Sequence, residues 1–115
     1  MRTLIVALLI ATLGLVSACG ASGTSAPVST NKVEMPRSYR FDPPVITVTA
    51  GSTVTFHNGD NFTHSIYVNQ TNVVRDPIPP GASASIPFDQ PGEYTYYCTY
   101  HSQQMKGKII VTAKQ

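Results

Sequence analysis

The sequence has little charge and no concentration of basic residues. Only 12% of its 115 residues are Asp, Glu, Lys or Arg, and the formal net charge is +2. Residues 1–18 hold one of the eight basic residues, Arg2, and none of the six acidic ones, so the rest of the chain carries +1. Proteins bind a nucleic-acid backbone with clustered Lys and Arg side chains. The composition therefore excludes nucleic acid as a partner.

The longest apolar run is too short to span a membrane. It extends over thirteen residues from Leu4 to Val16, whereas a transmembrane helix needs about 20. The run follows the basic residue Arg2, and a short basic start before a short apolar stretch is typical of a secretory signal peptide. We therefore assign residues 1–18 to a signal peptide.

Cysteine is scarce, and the chain has only Cys19 and Cys98. The segment Leu15-Val16-Ser17-Ala18-Cys19 resembles the lipobox of bacterial lipoproteins. The resemblance implies that Cys19 is the lipidated first mature residue and that two or more acyl chains anchor it stably. The anchored protein would lie on the outer face of the cell membrane or on the periplasmic side of a bacterial envelope. Ordinary cleavage after Ala18, with Cys19 left as a free thiol, is the alternative.

Cys98 has no disulfide partner in the chain if Cys19 carries lipid. An unpaired thiol outside the cytoplasm is a liability, because disulfides form readily in that environment. Metal ligation would explain why such a thiol is kept.

The remaining chain divides into a polar tether and an all-β domain. Residues 19–32 are mostly small and polar, which predicts a flexible linker after the lipidated Cys19. Residues 33–115 are predicted to form one domain. Short β-branched and aromatic stretches alternate with Gly, Pro and Asn turns, without helical spacing, which predicts a small sandwich or barrel. The predicted strands are 45–49, 53–57, 65–68, 73–74, 82–88, 93–98 and 108–112, with a break at 76–81.

A group of potential metal ligands follows one of these strands. Cys98, His101 and Met105 lie within eight residues, and His64 lies 34 positions before Cys98. One Cys, two His and a weakly bound Met form the ligand set of a mononuclear blue-copper site. Thiolate and thioether favour Cu(I), whereas imidazole suits both oxidation states. The pattern therefore predicts a copper site that serves a one-electron cycle.

The alternation of side chains along the strands predicts which of them point inward. Tyr94, Tyr96 and Cys98 share one face of their strand, so Cys98 points into the sandwich if the tyrosines do. His57 alternates with Phe56 and Val54, which indicates an exposed surface residue rather than a ligand.

Several motifs together resemble the cupredoxins, and within them plastocyanin, amicyanin and pseudoazurin, over residues 39–112. They are Phe41-Asp42-Pro43, Ile46-Thr47-Val48-x-x-Gly51-x-x-Val54-x-Phe56-x-Asn58-x-Asp60, His64, Gly92-x-Tyr94-x-Tyr96-x-Cys98-x-x-His101 and Met105-Lys106-Gly107. The resemblance implies an eight-stranded Greek-key β-sandwich that transfers electrons. It also implies one type 1 copper, with His64, Cys98 and His101 as equatorial ligands and Met105 as the axial ligand.

The chain departs from these relatives at three places. Three residues separate His101 from Met105, where plastocyanin and pseudoazurin have four and amicyanin has two, so Gln104 is the alternative axial ligand. Ser65 stands where the relatives have an Asn that locks the ligand loop, and a hydroxyl could partly replace that lock. Tyr100 stands where they have Pro, and its N–H could donate a hydrogen bond to the Cys98 sulfur.

The sequence predicts an electron carrier between envelope redox proteins, and an extracytoplasmic copper carrier or store is the alternative. Copper carriers tend to use clusters of Met and His, and only Met35 and Met105 follow residue 18. A metal-free immunoglobulin-like module would leave Cys98 unexplained. We expect no enzymatic activity, because three histidines are too few for multicopper catalysis and a binuclear centre needs a second nearby Cys.

The loop position of His101 predicts that its ring edge is the exposed part of the site. Tyr100, Met105 and residues 77–80 would form an apolar rim around it. Redox encounters use small interfaces, and a charge of +1 gives little steering. We therefore expect a monomer that docks transiently through this end.

Overall fold

The computed structural model describes residues 25–115, which fold into two β-sheets without a helix. Within this part of the chain no helix could cross a membrane. The predicted signal peptide and Cys19 lie outside the described residues. The nine strands of the described part are β1 (Val28–Ser29), β2 (Lys32–Met35), β3 (Val45–Thr49), β4 (Ser52–Asn58), β5 (His64–Val68), β6 (Val73–Ile78), β7 (Ser83–Phe88), β8 (Gly92–Tyr97) and β9 (Lys106–Thr112).

The strands form one six-stranded and one three-stranded sheet. The larger sheet has the order β1-β3-β9-β8-β5-β6, and the smaller has the order β2-β4-β7. Strand β3 pairs in parallel with β9, and 56 residues separate Thr49 from the start of β9 at Lys106. The chain between them passes through both sheets, because β4 and β7 belong to the smaller sheet. The predicted all-β Greek-key sandwich is confirmed, with nine strands rather than about eight.

The core lies between the two sheets and follows from the alternation of side chains. On β4, Val54 and Phe56 are fully buried, and Ile109 on β9 is also fully buried. The rings of Phe56 and Tyr96, from opposite sheets, lie 5.2 Å apart in an edge-to-face arrangement that aromatic pairs favour. His57, between the buried positions, has a 43% exposed side chain, as predicted, and is 2.8 Å from the Glu34 carboxylate.

Two segments differ from the sequence-based expectation. The pairing of β1 with β3 begins at Val28, and β2 begins at Lys32, within the range assigned to the linker. The polar composition of that range does not reveal its backbone hydrogen bonds. Strand β6 continues through Asp76 and Pro77, where a break was expected. Pro is tolerated there because β6 is an edge strand, where a missing N–H leaves no ladder bond unmade.

The pairing of β5, β8 and β9 brings the predicted ligands to one end of the sandwich. Strands β5 and β9 are both antiparallel to β8, so the starts of β5 and β9 lie beside the end of β8. His64 opens β5, Cys98 directly follows β8, and Met105 directly precedes β9. Residues distant in sequence are therefore neighbours in space.

Candidate metal centre

His64, Cys98 and His101 form a compact cluster at this end of the sandwich. Their candidate ligand atoms all lie within 4.8 Å of one another. The Cys98 sulfur is 3.8 Å from Nδ1 of His64 and 3.8 Å from Nδ1 of His101. Two ligand atoms that each bind an ion at about 2.0–2.3 Å are themselves roughly 3–4 Å apart. The three side chains therefore fit a single metal ion with a thiolate and two imidazoles.

The thiol is held inside the protein by the end of β8. Cys98 is fully buried and is the free cysteine of the described residues. It shares its inward face with the buried Tyr96, in agreement with the predicted alternation. The Cys98 N–H donates to the carbonyl of Met105 at 3.1 Å, while its own carbonyl accepts from the His101 N–H at 3.2 Å. These bonds close the ligand loop between β8 and β9.

Ser65 ties the β5 end of the cluster to this loop. Its hydroxyl accepts a hydrogen bond from the Thr99 N–H at 2.9 Å and lies 2.7 Å from the Thr99 hydroxyl. It also donates toward the Cys98 sulfur at 3.8 Å. The short hydroxyl therefore makes a cross-loop link of the kind expected at this position. Among residues 25–115 the Tyr100 N–H makes no hydrogen bond to that sulfur; instead, the Tyr100 hydroxyl donates to Asp76 at 2.6 Å.

Asp60 orients the imidazole of His64. The Nε2 atom of His64 is 3.0 Å from Oδ2 of Asp60, and the two side chains are only 0% and 4% exposed. A histidine that donates its Nε2 proton to a carboxylate keeps the lone pair of Nδ1 for a metal. Here Nδ1 is the atom that faces the Cys98 sulfur. The contact therefore selects the tautomer that a metal site needs.

The Asp60 carboxylate is itself fixed and stays ionised. Burial has the largest single effect and raises the pKa of Asp60, whereas the hydrogen bond from His64 lowers it. The Asn61 N–H, which donates to Oδ1 at 2.7 Å, and the positive charge of Arg37 also lower the pKa. The net result is a pKa below the ordinary value for Asp. The role of Asp60 was not among the predictions, although its position four residues before the candidate ligand His64 is a signal for it.

The two axial candidates differ in burial. Met105 is fully buried, and its N–H donates to the His101 carbonyl at 2.9 Å. Gln104 is exposed. The axial ligand stays a prediction.

Aromatic side chains surround the solvent-facing part of the cluster. His101 is the partly exposed member, and the ring of Tyr39 lies 4.4 Å from its ring. Phe62 is 54% exposed and its ring lies 5.7 Å from that of Tyr39, while Tyr100 is 53% exposed. Tyr100 is exposed as predicted for the rim, but Met105 and Ile78, which were also predicted to form it, are buried. The sequence did not indicate Tyr39 or Phe62. Both belong to loops whose position the strand pattern does not specify.

The fold and this cluster define a small β-sandwich protein with one thiol and two imidazoles placed where they could hold a metal ion. A family model described as "Cupredoxin-like domain" matches residues 5–111. The chain belongs to this family.

Individual relatives point to the same family. Amicyanin-alpha of Methylorubrum extorquens is 32% identical over 91 residues, covering 75% of this chain and 75% of the relative. Plastocyanin of Tetradesmus obliquus is 35% identical over 83 residues, covering 62% of this chain but 57% of the relative. The chain thus spans little more than half the length of that plastocyanin.

Solved structures share the fold. A purple cupredoxin from Nitrosopumilus maritimus has a TM-score of 0.64 at 23% identity, covering 70% of this chain and 98% of that chain. A copper-containing nitrite reductase from Thermus scotoductus has a TM-score of 0.65 at 31% identity and covers 85% of this chain. The match takes in only 25% of the reductase. The similarity to the reductase is therefore restricted to a cupredoxin domain.

Proposed function

We propose that this protein is a type 1 copper protein that carries single electrons between redox proteins of a cell envelope. The observation that carries the proposal is the Cys98 sulfur at 3.8 Å from two imidazole Nδ1 atoms, in a chain of the cupredoxin-like family. The relatives named plastocyanin and amicyanin support the electron-carrier role. Copper bound there would supply a one-electron couple, because thiolate and imidazole together suit both oxidation states.

The residues around the cluster are arranged to keep the ligands in place. Asp60 fixes the ring of His64, and Ser65 links β5 to the loop that carries Cys98. Ligands held rigidly by their supporting residues need little rearrangement when the charge of a bound ion changes. We propose Met105 as the axial ligand, supported by its complete burial against the exposure of Gln104.

Optical and EPR spectra of the copper-loaded protein test this function. We expect an intense thiolate-to-copper charge-transfer band, narrow copper hyperfine splitting and a reversible one-electron wave. Cys98→Ser should lose the band, whereas His57→Gln, which alters the histidine outside the cluster, should keep it. A blue spectrum retained in Cys98→Ser would contradict the assignment. Rapid copper exchange without a reversible wave would instead favour a copper carrier or store.

We propose that partners dock at the aromatic end of the sandwich, around the partly exposed His101. Support comes from two exposed rings, that of Phe62, which packs on the Tyr39 ring that contacts His101, and that of Tyr100, the residue before His101. Phe62→Lys should slow electron self-exchange at low salt, because it places like charges at the contact between two copies. Val74→Lys adds the same charge at another exposed apolar residue, on β6, and should change the rate less. Equal rates in both variants would place the contact elsewhere.

We also propose that Cys19 carries a lipid anchor. The support is the lipobox-like segment 15–19, and β1 begins only at Val28. The eight residues between them reach at most roughly 30 Å, which would keep the domain near the membrane. Wild-type protein should partition into detergent, and Cys19→Ala should not. A soluble wild-type species with an unmodified N-terminus would contradict the anchor.

A further inference from the structure

Tyr39 contacts both imidazoles of the cluster although it belongs to neither the ligand loop nor β5. Its ring lies 4.4 Å from that of His101 at an angle of 42°, and 6.3 Å from that of His64, edge-on at 90°. Phe62 packs against Tyr39 at 5.7 Å. The tyrosine is partly buried and packs against the core. Its ring therefore shields the partly exposed imidazole from one side.

The backbone that presents this ring adopts a costly conformation. Ser38 and Tyr39 have φ angles of 84° and 52°, in the left-handed region that residues other than Gly rarely occupy. Such conformations persist where surrounding contacts hold them, and they cluster at functional sites. Here the turn is closed by a hydrogen bond from the Arg40 side chain to the Arg37 carbonyl at 2.9 Å. The contacts of the Tyr39 ring with His101 and Phe62 offer a reason why its backbone is held at a positive φ angle.

We propose that Tyr39 is a positioning residue that holds the His101 ring in its ligand orientation before any metal binds and that slows the loss of bound copper. The second half of this inference rests on the proposed copper site, whereas the first half concerns the protein alone. His64 is already fixed by its buried contact with Asp60. Among the described residues the His101 ring has no carboxylate partner of this kind, and it lies 3.8 Å from the Cys98 sulfur and 5.2 Å from the His64 ring, both within the cluster. The tilted Tyr39 ring, at 4.4 Å, is a contact from outside the cluster that restricts its rotation.

NMR of the metal-free protein tests the ring contact directly. We expect nuclear Overhauser effects between the Tyr39 and His101 ring protons in the wild-type protein, and their absence would overturn the inference without any variant. Tyr39→Leu should move the His101 ring signals toward those of a mobile histidine. Tyr39→Phe keeps the ring and should leave them in place. Phe62→Leu alters a neighbour of Tyr39 that makes no ring contact with His101 and serves as the control.

The rate at which Cu(I) transfers to a colorimetric chelator tests whether Tyr39 slows the loss of bound copper. Aromatic pair energies correspond to a roughly two- to tenfold change in a rate, so Tyr39→Leu should release copper faster by about that factor. Tyr39→Phe should behave as wild type. The proposed role of the Tyr39 ring would be overturned if Tyr39→Leu changed neither the His101 ring signals nor the rate of copper release. It would also be overturned if Tyr39→Leu and Tyr39→Phe had equal effects. A wild-type protein that binds no copper would contradict the proposed function instead, because the metal-free measurement still decides the ring contact.

Discussion

Replacing Asp60 with Asn tests whether a buried carboxylate selects the metal-binding tautomer of His64. In the wild-type protein Oδ1 of Asp60 accepts the Asn61 N–H at 2.7 Å, and Oδ2 faces Nε2 of His64 at 3.0 Å. An Asn that keeps the first bond turns its NH₂ group toward Nε2. Two donors would then oppose each other, so the proton moves to Nδ1 and removes the lone pair that faces the Cys98 sulfur.

The size of the expected loss in copper affinity depends on how deeply Asp60 and His64 are buried. Removing a group that supports a metal-binding histidine costs about 10- to 100-fold in metal affinity. The side chains here are only 0% and 4% exposed, so water cannot replace the lost acceptor. We therefore expect the copper affinity of Asp60→Asn to fall toward the upper end of that range.

Competition titration against a copper chelator measures this loss. The matched control is Glu34→Gln, because Glu34 also contacts a histidine, His57, at 2.8 Å. That pair is exposed and lies outside the cluster, so its variant should bind copper as wild type does. If Asp60→Asn binds copper within about twofold of wild type, another contact fixes the tautomer and the reasoning is refuted.

Two further predictions concern the axial position and the packing of β9. Met105→Gln should keep copper but lower the reduction potential measured by voltammetry, because an oxygen donor favours Cu(II), while Gln104→Ala should change neither. If Gln104→Ala shifted the reduction potential and Met105→Gln did not, Gln104 would be the axial ligand instead. Gly107→Ala should destabilise the fold by about 1–3 kcal/mol in urea denaturation, since the added methyl would overlap the ring end of the buried Tyr96. Gly59→Ala meets only ordinary contacts and is the control, so equal midpoints for the two variants would contradict this packing argument.

The local pattern of the chain determined the strands and the chemistry of the cluster. Short β-branched or alternating stretches bounded by turn residues predicted the ends of β3, β4, β7 and β9 to within two residues of those observed. The set of one Cys and two His indicated the metal chemistry, since a single thiolate with two imidazoles and a weak axial Met is the ligand set of blue-copper sites. The burial of Cys98 likewise followed from its alternation with Tyr96.

The tertiary structure alone decided which distant groups support this cluster. The short strand β1 depends on pairing with β3, and its two residues carry no periodic signal for it. Strand β2 does alternate exposed and buried residues, but four residues are too few to predict its pairing with β4. The contact of Asp60 with His64 depends on the turn between β4 and β5. The contact between the Tyr39 and His101 rings joins two loops whose residues are 62 positions apart. Sequence periodicity reports how one strand faces the core, whereas such contacts depend on how several strands and loops meet at one end of the sandwich.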